Sequence, residues 1–163
     1  MNAKAKARIR PFQPADQPAI DDIVKLIWHI GLNCLREKQY GFLIGGKTWQ
    51  ERKVEEIHQA IAAEPDGWYV TEIDGRVIGF CSFSADSAAG IGHVGQNGIH
   101  PDFKGQGYGA RQLEFVLDQL RQRGMKIVEV NTGLNEGHAP ARRMYERAGF
   151  IPLFDSRIYW RKL

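Results

Sequence analysis

Apolar residues recur at helical spacing in the N-terminal third of the chain. Five of them would share one face of a helix over residues 17–30: Ile20, Ile23, Val24, Ile27 and Trp28. Residues 48–63 repeat this pattern after a glycine-rich break at 41–46, and Pro65-Asp66-Gly67 closes it. The pattern predicts an amphipathic first helix, then a second helix or helical pair.

Runs rich in β-branched and aromatic residues follow, at 68–73 and 76–83. They are separated by Asp74-Gly75, the dipeptide most typical of a tight β-hairpin, so we expect antiparallel pairing. Residues 9–12 form a short strand candidate. Residues 91–99 form a weaker one, and its glycines suggest a bulge or a ligand close to the backbone.

In the C-terminal half, segments with the helical spacing of apolar residues alternate with segments of strand composition. Four residues predict one face of a helix that ends at Gly124: Leu113, Val116, Leu117 and Leu120. Residues 127–130 then form a strand, which makes a parallel crossover unit. A further helix begins near Pro140 and ends at Gly149, and residues 150–154 and 157–161 are predicted as the last two strands. The fold class is therefore α/β (α+β), with a mixed, mostly antiparallel sheet of six or seven strands and about four helices.

Composition narrows the function classes. The 163 residues fit one domain, 1–163, and 43% hydrophobic with 25% charged residues is typical of a soluble globular protein. No apolar run reaches the length of a membrane helix, and the basic N-terminus lacks the apolar core of a secretory signal, so we expect a cytoplasmic protein with a frayed tail over residues 1–7. Cys34 and Cys81 are expected to be buried reduced thiols. A net charge of +3 suits a polyanionic small molecule, and nucleic acid is not the favoured partner.

The most informative segment, residues 99–109, joins a strand to a helix and carries Gly105, Gly107 and Gly109 at alternate positions. Glycines at a helix entrance let free backbone N–H groups approach an anion, and the positive end of the helix dipole favours a pyrophosphate there. The alternative is a glycine-rich turn without a ligand. The G-x-G-x-G spacing differs from the G-x-G-x-x-G of dinucleotide folds, which disfavours NAD.

A second glycine segment, residues 41–48, matches the nucleotide-binding pattern G-x-x-x-x-G-K-[ST] letter for letter. The residues before Gly41 are charged and do not form the buried strand that such a loop follows. We therefore interpret the match as coincidental.

Residues 99–153 resemble the GNAT superfamily of N-acetyltransferases. Lys104, Gly105, Gly107 and Gly109 are similar to its [QR]-x-x-G-x-G acyl-CoA loop, with Lys104 in place of Gln or Arg, and residues 141–150 (ARRMYERAGF) are similar to its A-x-x-(L/M)-Y-x-(K/R)-x-G-F helix. The resemblance implies acetyl-CoA as co-substrate and a sheet splayed between the strands ending near Ile99 and Val130. It places cofactor contacts at twelve residues: Ile99, Lys104, Gly105, Gln106, Gly107, Tyr108, Gly109, Ala110, Asn135, His138, Ala141 and Arg142. In one departure, His138 stands where the family often has Asn, with Asn135 three residues earlier.

The resemblance also places Tyr145 beside the thioester sulfur as general acid, with a residue packed in the core as the alternative. A backbone N–H of Gly98 or Ile99 is the candidate for binding the thioester oxygen. Candidates for the general base are Glu129, whose pKa burial would raise, His93, Glu72 or a water chain. Gln96 and Asn97 either face the substrate or satisfy a bulged backbone.

These observations predict transfer of an acetyl group from acetyl-CoA to a primary amine of a small molecule or peptide, by direct attack in a ternary complex. A non-catalytic acyl-CoA-binding or sensing module is the alternative. The histidines show no ligand spacing, so we predict no metal, and we expect no membrane partner. A two-fold homodimer would be common for an enzyme of this size.

Overall fold

The computed structural model describes residues 7–163. In chain order its helices and strands are β1 (Arg8–Pro11), α1 (Gln17–Ile27), α2 (Leu32–Tyr40), α3 (Trp49–Ala63), β2 (Trp68–Ile73), β3 (Arg76–Asp86), β4 (Ile91–Ile99), α4 (Tyr108–Gln122), β5 (Ile127–Val130) and α5 (Ala139–Arg147). The predicted tail lies outside the described residues except for Ala7, which is buried.

The five strands form one sheet in the order β1-β2-β3-β4-β5. All neighbours are antiparallel except β4 and β5, which are parallel, so the mixed sheet and its parallel pair are confirmed. Asp74 and Gly75 both adopt positive φ, at 50° and 79°, as a two-residue hairpin turn between β2 and β3 requires.

Helices cover both faces of the sheet. On one face, Ile20 and Val24 of α1 and Ile57 of α3 pack with Val70 and Phe80 of the sheet. On the other, four buried residues of α4 pack with Cys81, Phe83, Val94 and Tyr145: Leu113, Val116, Leu117 and Leu120. Because β3 alternates its side chains between faces, neighbouring Phe80 and Cys81 belong to different cores.

The predicted first helix is shorter than its apolar pattern. It ends at Ile27, a single tight turn covers Trp28–Ile30, and extended backbone at Gly31 begins α2, so the described residues hold five α-helices and not about four. Trp28 still faces the core, stacked on Phe80 at 5.9 Å between ring centroids. The periodicity therefore identified buried positions correctly and placed the end of the helix wrongly.

The last two predicted strands are wrong. Residues 151–163, here called the C-terminal segment, have no regular secondary structure and are exposed throughout, so five strands form where six or seven were predicted. The composition favours strands, but composition does not specify a pairing partner, and Pro152 lacks an N–H to donate to a neighbouring strand. Among the helices of residues 7–163, none is long and apolar enough to cross a membrane.

Candidate active site

The glycine loop adopts a conformation that glycine alone takes readily. Gly105 and Gly107 have φ of +74° and +85°, and Gly107 immediately precedes α4. A Cβ atom built on either would meet no atom within 4 Å. The loop therefore needs glycine for its backbone conformation, and it leaves open space beside that backbone.

The amides of this turn have no acceptors. The amide of Lys104 donates to the carbonyl of Pro101 at 3.2 Å, and that of Arg111 donates to Gly107 at 3.0 Å to begin the helical ladder. Across the part of the chain that the structure describes, nothing accepts a hydrogen bond from the amides of residues 105–110. These donors lie at the positive end of a 15-residue helix, an arrangement that binds phosphate oxygens well.

The sheet opens directly beside this turn. The parallel register of β4 and β5 runs from Ile91 opposite Ile127 to Val94 opposite Val130 and stops there. Residues 95–99 of β4 continue past the end of β5 and are not paired with it. The predicted splay between the two strands is thus present, and it begins at Gly95.

The backbone amide of Ile99 points into this opening. The amide of His100 donates to Ile78 of β3 at 2.8 Å. Hydrogen-bonded and non-hydrogen-bonded pairs alternate along an antiparallel ladder, so Ile99, opposite Gly79, directs its N–H away from β3. Of the two amides predicted for the thioester oxygen, the register therefore selects Ile99, and Gly98 is engaged with β3.

A buried polar network ties the opening to α4. Gln112 is fully buried; its amide nitrogen donates to Asn97 Oδ1 at 2.7 Å and to the Phe80 carbonyl at 3.0 Å, and its oxygen accepts from Thr71 Oγ1 at 2.6 Å. Asn97 in turn donates to the carbonyl of Gly109 at 3.1 Å. This chain of contacts fixes the first turn of α4 against the strand that lines the opening.

Tyr145 lies in the core beneath α4, 9% exposed, with its ring 5.8 Å from that of Phe150. Burial raises the pKa of its phenol above 10. Within residues 7–163, the buried side-chain polar atoms without a hydrogen-bond partner are the Nε atoms of Arg36 and Arg52. The hydroxyl of Tyr145 is not one of them, so it reaches solvent. The preceding residue, Met144, contacts the first turn of α4: its Sδ lies 3.6 Å from the position that a Cβ atom would take on Gly109. The phenol therefore holds its proton at neutral pH.

The order of these parts matches a known family. The model of the acetyltransferase (GNAT) family matches residues 30–150, most of the chain and all of the opening. The chain belongs to the GNAT family. The resemblance predicted from the sequence is confirmed, and family membership supports acetyl transfer from acetyl-CoA.

Relatives and solved structures agree with this family. An uncharacterised N-acetyltransferase of Archaeoglobus fulgidus is 31% identical over 90 residues, 52% of this chain and 60% of that protein. A crystal structure from Pyrococcus horikoshii OT3 has a TM-score of 0.71 at 20% identity and covers 94% of both chains. A GNAT acetyltransferase from Brucella melitensis, solved in complex with acetyl-CoA, has a TM-score of 0.62 at 23% identity over 91% of this chain and 84% of its own. The curated relatives are longer than the stretch they share with this chain.

The structure pairs two of the predicted catalytic residues. His93 and Glu129 lie opposite each other on β4 and β5, with Nδ1 and Oε1 4.0 Å apart. Their side chains are 43% and 68% exposed, so the expectation that Glu129 is buried is wrong: alternation along β5 directs Val128 and Val130 to the core and Glu129 to solvent. Glu72 is bound by Arg8 and Arg10, which hold its pKa below the usual range, and it lies two strands from the opening.

The loop between β5 and α5 is held together by three residues predicted to contact the cofactor: Asn135, His138 and Arg142. Arg142 donates to the carbonyls of Gly133 at 2.6 Å and Asn135 at 2.9 Å. Asn135 donates to the Ile30 carbonyl at 3.1 Å and is also hydrogen-bonded to His138, whose pKa is lowered by burial and then by Arg142. These side chains hold the loop on the α1–α2 connection, and their contacts with the cofactor stay predictions.

The remaining residues predicted to contact the cofactor lie in the glycine loop and in the first turns of α4 and α5. Lys104, Gln106 and Ala110 are exposed, and Tyr108 and Ala141 are half-buried. Gln106 makes one long contact, from its side-chain nitrogen to the Asp102 carbonyl at 3.4 Å. No cluster of three or more His, Cys, Asp or Glu side chains suited to a metal ion occurs within the described range 7–163.

The second glycine segment has a structural explanation. Gly41 ends α2 with φ of +69°, and Thr48 begins α3 by exchanging hydrogen bonds with Glu51. Lys47 is paired with Glu55 at 2.5 Å. The segment thus follows a helix and not a strand, and its Gly and Thr are helix-terminating and helix-capping residues.

Sequence reasoning missed Gln112 and Ser82. Gln112 lies at a helix position that faces the core, where a polar residue is a detectable exception. Ser82 Oγ accepts from the amide of Gln96 at 2.8 Å, where the register shifts between β3 and β4. Ser82 therefore satisfies the bulged backbone at Gln96, whereas the side chain of Asn97 binds α4. The two alternatives for Gln96 and Asn97, contact with the substrate or support of the bulge, stay predictions.

Proposed function

We propose that the protein is an N-acetyltransferase, one domain that moves the acetyl group of acetyl-CoA to a primary amine by direct attack in a ternary complex. The observation that carries the proposal is the turn at residues 105–110, whose amides lack acceptors and lie beside an opening between parallel strands. The turn suits the diphosphate of CoA, and the opening suits its extended pantetheine arm.

The amide of Ile99 supplies the donor for the thioester oxygen. In the transition state this oxygen gains negative charge, and a fixed N–H in a site sheltered from water stabilises it more than mobile water does. The amide of Ile99 is held in place by the pairing of β4 with β3 and by the contact between Gln112 and Asn97.

Tyr145 supplies the proton for the departing thiolate. A thiol has a reference pKa of about 8.5, below that of the phenol, so the phenol holds its proton at neutral pH and transfer to a free thiolate is uphill. The phenol therefore stabilises the sulfur by a hydrogen bond as the carbon–sulfur bond breaks, and the phenolate formed when the proton is transferred regains a proton from solvent.

The two faces of the sheet separate the two substrates. Gly92 and Val94 face α4, so His93 and its partner Glu129 face the side of α1 and α2. Tyr145 lies on the α4 side. An amine that approaches from the His93 side meets the thioester while the cofactor stays bound, which supports direct attack over a covalent relay. His93, assisted by Glu129, is our candidate to remove the proton from the amine.

A screen of primary amines with detection of free CoA tests the activity. Polyamines, amino acids, aminoglycosides and peptides with free amino groups form the panel. The Tyr145→Phe variant should lose roughly 10²- to 10⁴-fold in turnover while calorimetry gives unchanged CoA binding. Tyr69→Phe, in the same core but on β2, is the matched control.

Two outcomes would contradict the proposal. Unchanged turnover in Tyr145→Phe removes the phenol from the mechanism. Tight binding of acetyl-CoA without transfer to any amine of the panel favours the sensing module instead.

A further inference from the structure

A groove lies between α2 and the C-terminal segment. Its volume is about 460 Å³, which is within the range of small-molecule sites. Eight residues line it: Leu32, Leu35, Arg36, Lys38, Gln39, Tyr40, Ile158 and Trp160. Five of these residues are aliphatic or aromatic, two are basic and none is acidic. The groove therefore suits a molecule that has an apolar body and an anionic group.

Arg36 has no partner among the residues that the structure describes. Its guanidinium donates no hydrogen bond there and makes no ion pair, and its Nε is buried. The terminal nitrogens are not among the buried atoms without a partner, so they reach solvent. The guanidinium carbon lies 4.2 Å from the centroid of the Trp160 ring, and the neighbouring Glu37 is held by Arg52 at 3.3 Å. The outer edge of the Arg36 guanidinium is therefore available to an acceptor from solvent.

Arg52 shows how the same kind of side chain is satisfied within this chain. Its Nε is buried without a partner as well, but its terminal nitrogens donate to the Asn33 carbonyl at 3.1 Å and to Glu37 at 3.3 Å. A positive charge that is partly removed from water and has no counter-ion raises the free energy of the folded chain, and a bound anion lowers it again. Arg36 therefore marks a place for an anionic group.

The groove begins beside the opening between β4 and β5. In the loop that follows β5, a Cβ atom built on Gly137 would lie 2.6 Å from the Cβ of Ile30, so this loop packs on the α1–α2 connection. Leu32, two positions after Ile30, begins α2 and lines the near end of the groove. At about 1.5 Å per helical residue, Arg36 lies about 6 Å further along α2. A molecule bound at Arg36 therefore extends toward the face of the sheet that carries His93.

We propose that this groove binds the acceptor of the reaction, and that the acceptor is a primary amine whose apolar body carries a carboxylate. The inference rests on the proposed acetyl transfer. The carboxylate binds the Arg36 guanidinium, whose planar fork matches its two oxygens, and the exposed Lys38 adds a second positive charge. The apolar body lies along Leu32 and Leu35, and the amine lies at the end of the groove beside the opening.

This placement is consistent with the balance of the reaction. The amine nitrogen bonds to the acetyl carbon as the carbon–sulfur bond breaks, and the products are an N-acetylated carboxylic acid and CoA. The proton that the nitrogen loses equals the one that the sulfur gains. The carboxylate takes no part in these steps, so its contact with Arg36 determines which amine is bound and not how the bond is made.

Octanoate tests the groove without any transfer, because it has the apolar body and the carboxylate but no amine. Trp160 is 43% exposed and lines the groove, so its fluorescence should report binding, and Trp160→Phe should remove the signal. Octanamide, which has no charge, should bind about tenfold more weakly than octanoate. Arg36→Gln should weaken octanoate binding by a similar factor. The control is Arg123→Gln, whose guanidinium carbon lies 4.4 Å from the Phe83 ring at the far end of α4 and which should bind octanoate normally.

Matched acceptors test the substrate class. ω-Amino acids from 6-aminohexanoate to 8-aminooctanoate are compared with their amides, which have similar amines and no negative charge. The wild type should prefer the acids about tenfold in kcat/KM, and Arg36→Gln should lose this preference through KM. Leu35→Glu places an acid at a 46% exposed position of the groove and should reverse the preference, whereas Leu26→Glu, at a 47% exposed position on α1, should keep it.

The outcomes separate this inference from the proposed function. Equal transfer to acid and amide at every chain length, or a preference for the acids that survives Arg36→Gln, would overturn the inference and leave the acetyltransferase in place. Octanoate binding that depends on Arg36, without transfer to any amine, would overturn the proposed function and with it the role of the groove as an acceptor site.

Discussion

The side-chain nitrogen of Gln112 donates to Asn97 Oδ1 at 2.7 Å, which joins the first turns of α4 to the strand that lines the opening. Both residues are polar in a region that is otherwise packed with apolar side chains. Asn97 passes the constraint to the carbonyl of Gly109. The glycine loop is thus positioned from behind, by groups that do not face the opening.

Gln112→Leu should weaken both the fold and CoA binding. The change leaves Thr71 and Asn97 without their buried partner, at a cost of about 1–3 kcal/mol in the free energy of unfolding. If placement of the loop accounts for 1.4 kcal/mol of binding, the dissociation constant of CoA rises about tenfold. Urea denaturation and calorimetry measure the two effects. Gln119→Leu, half-buried on the same helix, is the control; equal effects in both variants would refute the positioning role.

Gly107→Ala should lose CoA affinity beyond its cost in stability. A non-glycine residue at this φ costs about 1–2 kcal/mol, and the backbone relaxes by turning its amides. Gly124 has φ of +76° and equally open surroundings at the far end of α4, so Gly124→Ala carries the same strain away from the loop. Thermal unfolding should show similar losses for the two variants, and calorimetry should show weaker CoA binding for Gly107→Ala alone. Weakening in both would mean that strain itself, and not the loop, controls binding.

Asp16→Asn should destabilise the protein at neutral pH and lose this effect in acid. Arg10 binds the buried Asp16 carboxylate through two nitrogens, at 2.7 and 2.8 Å, and holds its pKa below the usual range. A depressed pKa adds stability above the ordinary carboxyl pKa of about 3.9, and that stability is lost as the pH falls through the folded-state pKa. We expect a difference of about 2 kcal/mol near pH 7, in line with a pair that is mostly buried. Urea titrations should give curves that converge below about pH 4; a difference independent of pH would assign the effect to packing.

Cys81 should resist thiol reagents in the folded protein. Its thiol is buried, and burial raises its pKa to about 12, so the thiolate fraction near pH 8 is negligible. Cys34 is buried as well. A disulfide reagent should therefore release two equivalents of chromophore only after unfolding in urea. Rapid labelling of the native protein would show that the core around β3 opens without global unfolding.

Much of this molecule follows from local signals. Asp74-Gly75 predicts the hairpin because both residues tolerate positive φ, and the alternating glycines of residues 105–109 predict the loop for the same reason. The family motif predicts a role for Tyr145 beside that loop, and this role stays a prediction. These are features in which a few adjacent residues determine the backbone, so the chain alone is sufficient evidence.

The rest depends on neighbours that are distant in sequence. Glu129 is an acid in an apolar strand, yet its exposure is decided by the face of β5 that packs on α4, since Val128 and Val130 take that face and leave Glu129 in solvent. The C-terminal segment has strand composition, and composition does not specify a pairing partner. Gln112 gained its role from Thr71, 41 residues earlier. Local pattern carries no information about such pairings.

The glycine loop offers backbone amides as hydrogen-bond donors, and substitution of a side chain does not remove a backbone amide. Substitution of Lys104 or Gln106, whose side chains are exposed, leaves the backbone amides of the turn in place. Substitution of Gly105 or Gly107 changes the backbone conformation and so moves all of these amides. The face that carries His93 lies across the sheet. If the proposed function is correct, the acceptor specificity of related chains can change through residues around His93 without altering the backbone donors of the loop, and the glycines are the positions least tolerant of substitution.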